Sequence, residues 1–140
     1  MNPGKALAQA QHAGTQLLKY SKHPDVQAYL AEGNKEGANS FSTTITLGVT
    51  IDQLLDIIGT AQENHYLAEE VLDPSYPFWV DVEIANLIST RTDLEDKIEK
   101  VKEEGTRALL IRTEVTCGWI LGSKDDVNFT SLVKNLKLHI

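Results

Sequence analysis

Asp81, Glu83, Arg112 and Glu114 are the side chains of this 140-residue chain whose types and spacing best suit chemistry. The two carboxylates lie two positions apart in one alternating segment, and the arginine and third carboxylate two apart in another. If those segments are paired strands, all four meet on one polar face of a sheet. Such a set suits a polar or cationic ligand, a divalent ion held by oxygen ligands, or a partner's charges. Cross-strand ion pairing on a wet surface is the plainer reading, because exposed pairs contribute only about 0–1 kcal/mol. Trp79 falls on the same face as Asp81, after Tyr76, Pro77 and Phe78. A large aromatic there can stack a planar ligand or anchor another chain. Trp79, Asp81, Glu83, Arg112 and Glu114 are therefore the expected ligand-binding residues.

Signals for catalysis are absent from the sequence. The four histidines, His12, His23, His65 and His139, are scattered without the spacing of a zinc site. The single cysteine, Cys117, lies on the apolar side of its segment and reads as a small buried thiol, with no base to activate it. No nucleophile elbow and no glycine-rich phosphate loop occurs. No catalytic residue, metal ligand or cofactor is assigned. A small metal-dependent hydrolase built on Asp81, Glu83 and Glu114 is kept as an alternative. His23-Pro24-Asp25 resembles the loop by which J-domain co-chaperones engage their partner. Too little chain precedes it for the two helices such a domain needs, so the tripeptide reads as a helix start with Pro in the first turn.

The elements that must position these residues follow from periodicity. Residues 107–121 alternate, with Leu109, Ile111, Thr113, Val115, Cys117, Trp119 and Leu121 against Arg112, Glu114 and Thr116. Residues 76–88 and 41–49 alternate likewise, the first carrying Tyr76, Phe78, Val80, Val82, Ile84 and Ile88 on its apolar side. Period-two alternation predicts a sheet covered on one face only. Thr50 and Gln53 form a capping box ahead of the stripe Ile51, Leu54, Leu55, Ile58 and Ala61. Thr92 and Glu95 suggest a second box, opening a helix with Leu94, Ile98 and Val101 inward and Gly105 as its stop. A last helix begins near Asn128. Residues 4–21, followed by a second helix from Pro24 to Gly33, make an N-terminal helical hairpin, with 33–40 as a linker.

The prediction is an α+β fold, a small sheet with one face covered by helices, in the order β-α-β-α-β-α behind that hairpin. Residues 1–38 form the leader and 39–140 the core, together a single folding unit. At 140 residues the chain can bury roughly two thirds of its unfolded surface. A net charge of −7 and a pI of about 5.0 oppose a general grip on nucleic acid. No membrane-length apolar run or signal-peptide core is present, so a cytosolic setting is expected, either bacterial or host-cell.

Thr43–Gln62, Glu63, Phe78-Trp79 and the stretch Leu94–Lys137 resemble a diffuse group of small uncharacterised phage and prophage accessory proteins. In that group a short strand feeds a helix, and a Trp-containing strand, an amphipathic helix, a strand and a final helix follow. This chain departs from it at Asn64-His65-Tyr66, where a glycine pair and adjacent aromatics are usual, and in its helical hairpin. The resemblance implies a non-enzymatic binding protein that counters bacterial defence, by sequestering a small signalling molecule or occluding a bacterial protein. Homo-oligomerisation is expected from the exposed strand edges. An assembly protein docking through its N-terminal helices is the remaining alternative.

Overall fold

A computed structural model describes residues 3–33, 43–91 and 98–138. The helices that start at Pro24, Ile51 and Val127 each begin at a side-chain cap. Helix α1 (Pro3–Leu17) runs into a single 3-10 turn, Leu18–Tyr20. Helix α2 (Pro24–Glu32) starts with His23 Nδ1 accepting the Asp25 N–H at 3.2 Å. His23-Pro24-Asp25 is thus a helix start. Helix α3 (Ile51–Glu63) carries both bonds of the Thr50–Gln53 box: Gln53 N–H to Thr50 Oγ1 at 3.2 Å, and Thr50 N–H to Gln53 Oε1 at 2.9 Å. It stops at Asn64, after which His65 turns the chain with φ 64, a left-handed conformation in which His is enriched among non-glycine residues.

The fold is α+β, with N-terminal helices and small antiparallel sheets, but the order of elements differs from expectation. Strand β1 (Leu47–Gly48) pairs antiparallel with β5 (Lys137–Leu138), so of the described part of the predicted 41–49 strand only two residues near its end are strand; Phe41 and Ser42 lie outside the described residues. Strand β2 (Leu67–Asp81) starts nine residues before the predicted 76, and the chain becomes helix α4 (Val82–Ser89) where strand was expected. Val82, Ala85 and Ile88 explain the switch: spaced by three, they form one buried helical stripe, and only Ala85 needs full burial. Glu83 therefore sits in the first turn of a helix, not on the sheet.

The helix expected over 92–105 is replaced in its second half by strand β3 (Glu99–Glu104). Thr92, Leu94 and Glu95 lie outside the described residues. Gly105 is a hairpin glycine at φ 60, the conformation a tight turn demands there. Strand β4 (Arg107–Leu121) follows and spans the whole predicted segment as one strand. The three long strands are ordered β2-β4-β3. A short helix α5 (Val127–Ser131), capped by Asp126, precedes β5. Behind the hairpin the order is β-α-β-α-β-β-α-β.

The chain divides into two units, residues 1–71 with 117–140, and residues 72–116. In the first unit the strands are covered on both faces, contrary to the one-sided sheet expected. On one face Ile58 and Ala61 of α3 pack with Ala68, Ile120, Tyr66 and Leu132. On the other, α1 is seated through polar groups. Trp119 Nε1–H donates to Gln16 Oε1 at 3.0 Å, and Gln16 Nε2 donates to the Glu70 carbonyl at 3.1 Å. The Cys117 thiol meets the Gln9 carbonyl at 3.5 Å, and the Tyr20 hydroxyl donates to Glu69.

In the second unit α4 covers one face. Ala85 packs on Ala108 and Leu110, ringed by Phe78, Val80, Val82, Ile88 and Ile98. Small side chains at 85 and 108 let the helix lie close to the strand. The phase of β4 here is the reverse of the prediction: Ala108 and Leu110 are buried, whereas Leu109 and Ile111 are half-buried.

Candidate functional site

The five residues selected from sequence fall into separate environments. Phe78 and Trp79 are neighbours on β2 and so point to opposite faces. Arg112 belongs with Phe78: its guanidinium lies 5.0 Å from the Phe78 ring centroid, and Nη2 pairs with Glu114 Oε2 at 2.5 Å. The pair is formed along one strand, between residues two apart on the same face. Asp81 occupies the residue before α4 without capping it, and Glu83 follows in the helix. Among the described residues no ion pair joins Asp81 or Glu83 to Arg112.

Trp79 instead meets two cations that come from the other two strands. Lys102 Nζ of β3 lies 5.3 Å, and Arg107 Cζ of β4 5.7 Å, from its ring centroid. Both distances are within the reach of cation–π attraction, about 6 Å. The indole is 37% exposed and Arg107 is exposed, on the face of this unit opposite α4.

A bulge puts Lys102 there. Strand β3 pairs with β4 as Glu99↔Ile111 and Lys100↔Leu110, then as Lys102↔Leu109, Glu103↔Ala108 and Glu104↔Arg107. An unbroken register would set Lys102 opposite Ala108, on the face that α4 covers. The irregularity between Lys100 and Lys102 moves it to the other face, beside Arg107 and Trp79. Glu104 shares this face and pairs with Lys102 at 2.5 Å. Arg107, by contrast, has no carboxylate partner among the described residues.

Arg107 and Lys102 are not among the five residues selected from sequence; Lys102 lies in Glu99–Glu104, whose pattern the sequence presents as helix. The available signal was Gly105, a turn residue two positions before the alternating segment 107–121. Among the described residues no group of three or more His, Cys, Asp or Glu side chains is placed to hold a metal ion. No described helix is long and apolar enough to cross a membrane. No protein-family description, curated protein or solved structure matches this chain.

Proposed function

We propose that this chain is a non-enzymatic accessory protein of the phage type that acts by binding, through the Trp79 face of its second unit. The observation that carries the reading is the indole itself: 37% exposed, and flanked by cations drawn from two other strands. Aromatic side chains with guanidinium neighbours supply a large share of binding energy at recognition surfaces. A surface built this way holds a ligand; it offers no nucleophile and base in reach of one another.

Sequestering a small signalling molecule fits such a face better than broad occlusion of a bacterial defence protein, because the aromatic and its cations are concentrated at one point. The setting would be the cytoplasm of a bacterial host cell. In the three-stranded sheet self-association would use a face, since both of its edge strands are protected. Strand β2 carries Pro74 and Pro77, and β3 is charged and bulged.

The test is a thermal-shift panel of nucleotides, sugar phosphates, amino acids and dicarboxylates on the wild type and Trp79→Leu, with solution mass measured alongside. A ligand that raises the melting temperature of the wild type and not of the variant supports the reading. Ligand shifts that survive Trp79→Leu unchanged would overturn it.

A further inference from the structure

The Trp79 face has a composition specific enough to name a ligand class. We infer that it takes a nucleoside monophosphate unit, with the base on the indole of Trp79 and the phosphate on Arg107 and Lys102. The inference rests on the binding role proposed above for this face and adds the chemistry of the ligand.

Three observations converge. The indole is a stacking platform that any planar base can use. Arg107, whose planar fork suits phosphate oxygens, lies over the ring, 5.7 Å from its centroid, with no carboxylate partner among the described residues, so a stacked base would use the ring surface that the two cations leave open. The β3 bulge brings Lys102 to the same place as a second, point-like cation. The site therefore joins one flat apolar surface to a short arc of positive charge.

The charge count limits what the arc can hold. Lys102 is shared with Glu104 at 2.5 Å, and Asp81 follows Trp79 on the same face of β2. One phosphate ester, carrying between one and two negative charges, matches Arg107 together with a partly neutralised Lys102. A polyphosphate would meet both carboxylates. A long nucleic acid would meet in addition the net charge of −7, which repels a polyanion over its whole length.

The experiment is calorimetric titration of the full chain with AMP and GMP, with adenosine and inorganic phosphate as half-ligands. Saturable binding of AMP or GMP below about 1 mM is expected, with each half-ligand at least tenfold weaker. Trp79→Phe keeps the stacking surface and should bind within a few-fold of wild type. Trp79→Leu and Arg107→Gln should each weaken binding at least tenfold. Glu104→Gln frees Lys102 and should strengthen it severalfold, a gain that a purely structural role for Glu104 would not give.

No heat with either nucleotide, or affinities unmoved by Trp79→Leu and Arg107→Gln, would overturn the assignment. Tight binding of a short single-stranded oligodeoxynucleotide without binding of the mononucleotides would overturn it in favour of nucleic acid. If AMP and GMP fail while another compound in the thermal-shift panel depends on Trp79, the ligand class falls and the binding role stands.

Discussion

Gly118 of β4 lies directly under Ile58 of α3: a Cβ built on the glycine would stand 2.5 Å from Ile58 Cδ1 and 2.9 Å from the Glu69 carbonyl oxygen. The first contact is with the end of a flexible side chain, but the second is with backbone of the neighbouring strand. Ile58 is itself buried in the core of the first unit, so it has little room to yield. Gly118→Ala is expected to cost about 1–3 kcal/mol through overpacking. Urea denaturation followed by circular dichroism reads this as a lower midpoint at unchanged slope. A midpoint equal to wild type would show that α3 is not seated on this strand.

Two other glycines predict the opposite sign. Gly14 in α1 and Gly59 in α3 are interior helical positions, and an added Cβ meets nothing within 4 Å at either. Replacing each with alanine removes backbone freedom from the unfolded chain and fits the helix. Each change should stabilise by about 0.5–1 kcal/mol. The same denaturation experiment, run beside Gly118→Ala, separates packing from helix propensity. Destabilisation by Gly14→Ala would mean that α1 does not form as described.

The phase of β4 yields a direct comparison between adjacent leucines. Leu110 is 1% exposed in the core with Ala85 and Ala108, whereas Leu109 is half-buried on the Trp79 face. Leu110→Ala should cost about 2–5 kcal/mol, and Leu109→Ala clearly less. The alternation as first read, with Leu109 and Ile111 inward, predicts the reverse ranking. Equal losses would place the strand between two covered faces in this unit as well.

That reversal shows where the sequence was legible and where it was not. The extent of β4 was readable because alternation over 107–121 is a local property, and both of its faces carry enough apolar residues to sustain it. Which face is inward depends on what packs there, and α4 was hidden inside an apparent strand. Val82, Ile84 and Ile88 extend the alternation of 76–81, while Val82, Ala85 and Ile88 obey a helical spacing equally well. Strand β3 was missed for a related reason. Its composition, Glu-Lys-Val-Lys-Glu-Glu, favours helix, and pairing with β4 overrides that preference. Both misplacements bear on the site: they kept Lys102 out of the expected set and placed Glu83 and Arg112 with Trp79. Capping chemistry fared better at Thr50–Gln53 and Pro24, because those bonds close within a few residues.

Tyr66 and Asp126 supply a pH-dependent contribution within the first unit. The Tyr66 hydroxyl donates to Asp126 Oδ2 at 2.7 Å, while Asp126 Oδ1 accepts the N–H groups of Asn128 at 2.9 Å and Phe129 at 3.2 Å. The Tyr66 bond, then that from Phe129, holds the Asp126 carboxyl below its ordinary value of 3.8. The bond to Asp126, with burial and the carboxylate charge, holds the Tyr66 phenol above its ordinary 10.0. Because the folded aspartate is the stronger acid, its contribution is complete above the unfolded value and disappears as pH falls through the folded one. Because the folded tyrosine is the weaker acid, its contribution is complete below the unfolded value and disappears as pH rises through the folded one. Melting temperature measured across the acid and alkaline limbs should therefore fall at both ends in the wild type. Asp126→Asn should flatten the acid limb while retaining an oxygen acceptor for the α5 cap. Tyr66→Phe keeps the edge-to-face contact with Phe129, 5.3 Å between centroids, yet should remove the alkaline dependence of this pair and soften the acid one. Profiles of Tyr66→Phe and wild type that superimpose at both ends would show that the bond does not couple α5 to the turn after α3.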